Sequence, residues 1–244
     1  FLQRNDAFVA MSEKVKADLL SFVPHARVEL LPHPLYDHFG ARIPTAEARR
    51  QLGIAEGRRV LLFFGFIRDY KGLDLLIEAM AKLPKDIVLV IAGEPYGDMT
   101  KYHDAIQRLG LKDRIVDHIR YIADQEVPRF FSAADVVVLP YRSATQSGIT
   151  AIAQHFATPI IATDVGGLKE LVADGRTGII VPTADPVAIA AGVERFYTMG
   201  PGAFAEGLAR LREELSWERF AQRLVEFAGS LGAATTVRRP NHSA

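Results

Sequence analysis

Short apolar runs alternate along this chain with segments whose apolar residues recur at helical spacing. Candidate strands are Phe8–Met11, Val28–Leu31, Val60–Gly65, Ile87–Ala92, Ile115–Tyr121, Val136–Leu139, Pro159–Ala162 and Gly178–Val181. They are rich in Val, Ile and Leu and show little polar alternation, the pattern of strands buried on both faces of a parallel sheet. Between them Glu13–Phe22, Leu73–Leu83, Tyr102–Leu109, Val127–Ala133, Ile149–Phe156 and Pro186–Tyr197 read as helices. The last of these opens with Asp185 as N-cap and Pro186 as first helical residue. Repeated strand–helix–strand units predict right-handed crossovers and an α/β fold, a doubly wound, Rossmann-like parallel sheet. Two further helical stretches, Phe204–Leu215 and Trp217–Leu231, have no strand between them and are expected to pack across the finished domain or onto a partner.

Residues 1–40 read as the end of an upstream domain and a Pro- and His-rich linker, 41–231 as the Rossmann-like domain, and 232–244 as a tail without periodicity, expected to be disordered. The chain opens on Phe1 inside what reads as a regular element, so a fragment of a longer protein is expected. At 244 residues and 49% hydrophobic, it is long and apolar enough to bury a core. Lys+Arg and Asp+Glu both number 29, so the basic excess of a general nucleic-acid binder is missing. The absence of cysteine excludes disulfides and thiolate chemistry. No apolar run approaches the roughly 20 residues that span a bilayer.

In a doubly wound sheet, ligands bind beyond the carboxyl ends of the strands. Three such strand ends carry candidate chemistry. After Val60–Gly65 comes Phe66-Ile67-Arg68-Asp69-Tyr70-Lys71-Gly72. Gly65 permits a tight turn and close backbone approach, and Arg68 and Lys71 supply two cations suited to phosphate. The segment lacks both the Gly-Lys-Ser/Thr of a P-loop and the G-x-G-x-x-G dinucleotide fingerprint. After the strand beginning at Ile115 comes Tyr121-Ile122-Ala123-Asp124, where Tyr121 either stacks on a base or caps the core. The residues alone favour the core. After Val136–Leu139 comes the polar loop Tyr141–Gly148, with Ser143, Thr145, Gln146 and Ser147 before a helix start. Ser147 reads as its N-cap, and the unpaired N–H groups there suit an anion. His33, His38, His103, His118 and His155 show no metal-ligand spacing, Glu170 reads as electrostatic support at a helix start, and no Ser-His-Asp arrangement is legible.

FFGFIRDYKGLDLLIEAM, LVIAGE, IRYIADQEVPRFFSAADVVVLPY, PIIATDVGGLKELVADGRTGIIVP and the late Trp217 together resemble the carboxyl-terminal domain of glycosyltransferase family 4, the group 1 transferases of GT-B fold. The resemblance covers nearly the whole chain and keeps motif order. It implies a retaining transfer of a sugar from a nucleotide-diphosphate sugar, with no cofactor and no metal. It also implies an acceptor (a sugar or lipid-linked glycan) held by an amino-terminal domain, no nucleic-acid partner, and a cytoplasmic location, peripheral at the membrane in some relatives. On this resemblance Lys71 falls in register with the lysine that binds the donor diphosphate. Arg68 lies two residues beyond the family's arginine position, which here is Phe66. Both are the expected catalytic groups. Donor contacts are expected from Gly65 and Phe66, from Tyr121 and Ile122 at the base, and from Thr145, Gln146, Ser147, Gly148 and Ile149. The family's two glutamates, separated by seven residues, fall here on Ala144 or Thr145 and on Ile152, none of them acidic. The alternatives are a nucleotide-binding module without catalysis, and a sugar-nucleotide epimerase of the same fold, which would need acid–base groups this chain does not display. The fragment alone is expected to be inactive.

Overall fold

The computed structural model describes residues 2–144 and 147–235. Tyr36–Arg212 forms one compact unit and the described residues on either side of it form another. The flanking unit begins with strand β1 (Phe8–Ala10), helix α1 (Glu13–Phe22) and strand β2 (Val28–Leu30), the two strands pairing in parallel. Ser12 caps α1, its Oγ accepting from the Val15 N–H at 3.2 Å.

The larger unit runs α2 (Thr45–Gln51), β3 (Arg59–Phe64), α3 (Leu73–Met80), β4 (Ile87–Gly93), α4 (Thr100–Arg108), β5 (Ile115–Ile119) and α5 (Val127–Ala133). It continues through β6 (Val136–Leu139), α6 (Gly148–His155), β7 (Ile160–Thr163), α7 (Leu168–Leu171), β8 (Gly178–Val181), α8 (Pro186–Met199) and all but the last two residues of α9 (Ala205–Glu214). Every predicted strand forms, within two residues at each end. The short α2 was not expected. Only its Ala48 is buried, so it carries almost no apolar period to read.

All six strands of this unit are parallel, in the order β5-β4-β3-β6-β7-β8. Counted within the sheet, that is 3-2-1-4-5-6, the doubly wound Rossmann order. Successive side chains of each strand leave on opposite faces and are buried on both. Leu62, Phe64, Val88, Val90, Val137 and Leu139 pack with α2, α5 and α6. Leu61, Phe63, Leu89, Ile91, Val136 and Val138 pack with α3, α4 and α8. Burial on both faces accounts for the continuous apolar runs in the sequence. Strand order reverses between β3 and β6, so the loops leaving those two strands diverge to opposite sides and leave a crevice at the switch point.

The last helix, α10 (Trp217–Thr235), groups with the first 35 residues, although its place in the sequence put residues up to 231 with the sheet domain. Trp217 Nε1 donates to the Leu35 carbonyl at 3.1 Å, and Arg223 reaches the Glu29 carboxylate at 2.6 Å. This helix continues past Gly232, where a disordered tail was expected; residues 236–244 of that tail lie outside the described residues.

Candidate functional site

A cavity of about 370 Å³ opens at the switch point. The β3–α3 loop contributes Gly65, Phe66, Tyr70 and Lys71, and the end of β4 contributes Gly93 and Glu94. The β5–α5 connection adds Tyr121, Ile122 and Asp124, and the β6–α6 connection adds Tyr141, Ser147, Gly148 and Ile149. All three loops singled out in the sequence therefore meet in one cleft.

Lys71 ends a single turn of 3₁₀ helix and is only 7% exposed. Glycines make the room it occupies. Gly65 has φ +92°, and a Cβ there would lie 3.3 Å from the Lys71 ammonium and 3.0 Å from Ile149 Cδ1. Gly72, in the left-handed region at φ +68°, brings the loop so close to β6 that a Cβ would fall 2.0 Å from the Pro140 carbonyl oxygen. Arg142 ties the same two loops together, donating to the Asp69 carbonyl at 2.7 Å and bridging both Asp74 oxygens at 2.9 and 2.6 Å.

No ion pair among the described residues involves Lys71, and its ammonium lies 5.7 Å from the centroid of the Tyr141 ring. Burial, and then repulsion from Arg68, lowers the Lys71 ammonium to about 8. Tyr141 is 2% exposed, and burial pushes its phenol up to about 12, so it stays neutral. Its hydroxyl meets Ser147 Oγ at 3.2 Å.

Ser147 occupies the N-cap position of α6 in extended conformation, but it makes no side-chain capping bond, contrary to the expected role. Its hydroxyl is directed to Tyr141 instead. Its carbonyl accepts from the Thr150 N–H at 3.1 Å, while the N–H groups of Gly148 and Ile149 have no partner among the described residues. The helix start thus presents donors without a partner among the described residues, and the positive end of its dipole, beside Lys71.

Arg68 does not line the cavity. Its guanidinium lies over the Tyr96 ring at 4.3 Å and near the Phe66 ring at 5.7 Å, and its Nε is buried without a hydrogen bond. Extended pairing holds the loop there: Ile67 N–H donates to the Glu94 carbonyl at 2.9 Å, and Tyr96 N–H to the Ile67 carbonyl at 3.0 Å. Tyr121 is 66% exposed on the cavity wall, so it does not cap the core, while Ile122 beside it is buried. Ile152, at the place of the family's second glutamate, is a core residue at 7% exposure, and Ala144 packs against the same core. Thr145 and Gln146 lie outside the described residues.

Glu94, Tyr70 and Phe39 line the cavity without having been singled out. The strand-end rule applied to β4 would have found Glu94. Phe39 lies in the linker-like stretch, where no period marks it. None of the histidines among the described residues lines the cavity: His155 Nε2 meets the Gly40 carbonyl at 2.7 Å and His118 packs edge-on to Phe130. Among the described residues no three His, Asp or Glu side chains gather to hold a metal ion. No described helix is long and apolar enough to cross a membrane.

This fold and cavity define a doubly wound, Rossmann-like domain with its ligand cleft at the switch point, the architecture of one half of a GT-B fold. The model of the group 1 glycosyl transferases matches residues 44–214, and the chain belongs to that family. The D-inositol 3-phosphate glycosyltransferase of Geodermatophilus obscurus is 33% identical over 188 residues, which are 73% of this chain and 42% of that protein. Its counterpart from Corynebacterium urealyticum is 33% identical over 204 residues, 79% of this chain and 48% of its own. The chain thus spans less than half the length of these curated relatives. Sucrose-phosphate synthase from Thermosynechococcus elongatus superposes with a TM-score of 0.78 at 25% identity, over 96% of this chain and 60% of that one. HepE from Anabaena, solved in complex with UDP, gives 0.79 at 20% identity over 92% of this chain and 64% of its own, a likeness of fold.

Proposed function

We propose that Tyr36–Arg212 is the donor-binding domain of a retaining, metal-independent family 4 glycosyltransferase. The donor is a nucleotide-diphosphate sugar, its diphosphate against Lys71 and the start of α6, its nucleoside against Tyr121–Asp124. The observation that carries this reading is the buried Lys71 ammonium beside the Gly148 and Ile149 N–H groups in the switch-point cavity, the ammonium without an ion-pair partner and the N–H groups without a hydrogen-bond partner among the described residues. A buried charge without a partner is expensive. Its retention is explained by a ligand that brings the counter-charge. The UDP held by HepE belongs to the same ligand class and supports the choice.

In the transfer, the bond between the anomeric carbon and the diphosphate oxygen breaks as the bond to an acceptor hydroxyl oxygen forms on the same face. The acceptor's proton passes to the departing phosphate oxygen. Negative charge grows on that leaving group, and Lys71 with the Gly148 and Ile149 N–H groups is placed to stabilise it. Arg68 supports the same field from the rim. The acceptor, a sugar or lipid-linked glycan, is held by an amino-terminal domain, so the chain alone binds donor without transferring sugar.

Calorimetry of the chain with UDP, GDP and ADP tests the binding half of the proposal. One of the three is expected to bind, and Lys71→Ala to weaken it by about 2 kcal/mol, the scale of a charge-assisted contact. Unchanged affinity in Lys71→Ala would remove the lysine from the site. A transfer assay on a protein carrying both halves of the fold tests catalysis.

A further inference from the structure

The nucleoside end of the cavity is built on a loop with no strand pairing of its own. β5 ends at Ile119 and α5 begins at Val127, yet Tyr121, Ile122 and Asp124 between them line the wall. The N–H and C=O of Ile122 make no hydrogen bond among the described residues. They are left to meet a ligand or water.

One ion pair organises this segment from behind. Arg120 Nη1 donates to the Tyr121 carbonyl and to Glu126 Oε2, both at 2.8 Å, and Nη2 donates to Glu126 Oε1 at 2.7 Å. Glu126 Oε2 also accepts from the Ala123 N–H at 3.2 Å, while the Glu126 N–H returns to the Ala123 carbonyl at 2.8 Å. Arg129 adds a second cation on Glu126 Oε1. The Arg120 hydrogen bonds, with those from Ala123 and the charge of Arg129, hold the Glu126 carboxyl at about 2, ionised across the ordinary pH range. Neither Arg120 nor Glu126 lines the cavity.

We propose that the Arg120–Glu126 pair is a positioning device for the nucleoside half of the donor, fixing the Tyr121–Asp124 backbone in its binding conformation before the ligand arrives. This rests on the donor-site reading above. A loop ordered in advance spares the ligand the entropy of ordering it. The diphosphate half, on Lys71 and α6, belongs to other loops and does not depend on the brace.

The test is calorimetry on the chain with its tightest-binding nucleotide among UDP, GDP and ADP, and separately with inorganic pyrophosphate. Glu126→Ala is expected to weaken the nucleotide about tenfold by removing preorganisation, with pyrophosphate affinity kept within about twofold. Arg120→Lys keeps the charge and every Glu126 bond to backbone but cannot span both carboxylate oxygens, and the same selective loss is expected. Equal losses for nucleotide and pyrophosphate, or no loss for either, in Arg120→Lys would overturn the proposal. Failure of the unsubstituted chain to bind any of the three nucleotides rejects the donor-site reading itself. Binding by that chain with both variants unchanged rejects only the brace.

Discussion

Lys71 is the residue on which stability and function pull in opposite directions. Its ammonium is lowered to about 8, so the folded state carries the cost of a desolvated charge at neutral pH. The shift corresponds to roughly 3 kcal/mol. The sign follows from linkage. Below about 8 the lysine is charged in both folded and unfolded chains and the full cost is present. As pH rises from there towards the ordinary lysine value of 10.5 the folded chain loses its proton first and the cost disappears. Lys71→Met keeps the bulk and removes the charge. It is expected to raise stability by about 1–3 kcal/mol at pH 7 while weakening nucleotide binding. That advantage should shrink as pH climbs through the window, which unfolding midpoints at pH 7 and pH 10 would show. A Met variant less stable than the parent at pH 7 would mean the ammonium has a partner of its own. Donor affinity should follow the same group in the unsubstituted chain: steady below about pH 7, falling above about pH 8, with the bound anion pulling the lysine upward again.

At the scale of elements, the site depends on how closely the β3–α3 and β6–α6 loops approach. Gly72 sets that distance. Its φ of +68° and the 2.0 Å separation between a built Cβ and the Pro140 oxygen leave no place for a side chain. Gly72→Ala is expected to destabilise by about 2 kcal/mol or more, from the strained backbone and the forced separation of loops. Urea unfolding would register it as a lower midpoint at unchanged slope, with nucleotide affinity reduced because Lys71 directly precedes Gly72. Equal midpoints in the two proteins would show that the loops separate freely. The same elements explain what could be read from the sequence. β6 (Val136–Leu139) and α5 (Val127–Ala133) were legible to the residue, because burial on both faces and a helical period leave plain marks. Lys71 was legible as a cation at a strand end. Its burial was not, since that depends on a cavity shared with Tyr141 and Ile149, both far away in the chain. Tyr121 misled for the converse reason: an aromatic at a strand end is ambiguous until the loop's direction is known. The brace behind it depends on an Arg and a Glu six residues apart around a turn, where helical spacing rules say nothing.

For the whole molecule, the question is what folds by itself. The sheet of Tyr36–Arg212 has all six strands parallel, with a separate apolar layer on each face, each layer covered by its own helices. The family match, residues 44–214, nearly coincides with that unit. The flanking unit is of another kind. Its two strands form a two-stranded parallel sheet, α1 buries no residue, and Phe22 is 75% exposed. Two strands with α1 and α10, neither helix burying a described side chain, do not close a core of their own. Residues 36–212 expressed alone are therefore expected to unfold in one cooperative transition and to bind the same nucleotide within about threefold of the full chain, since the cavity-lining residues lie inside that span. An insoluble 36–212 segment, or one that folds but no longer binds, would show that the flanking residues are part of the donor domain's own stability.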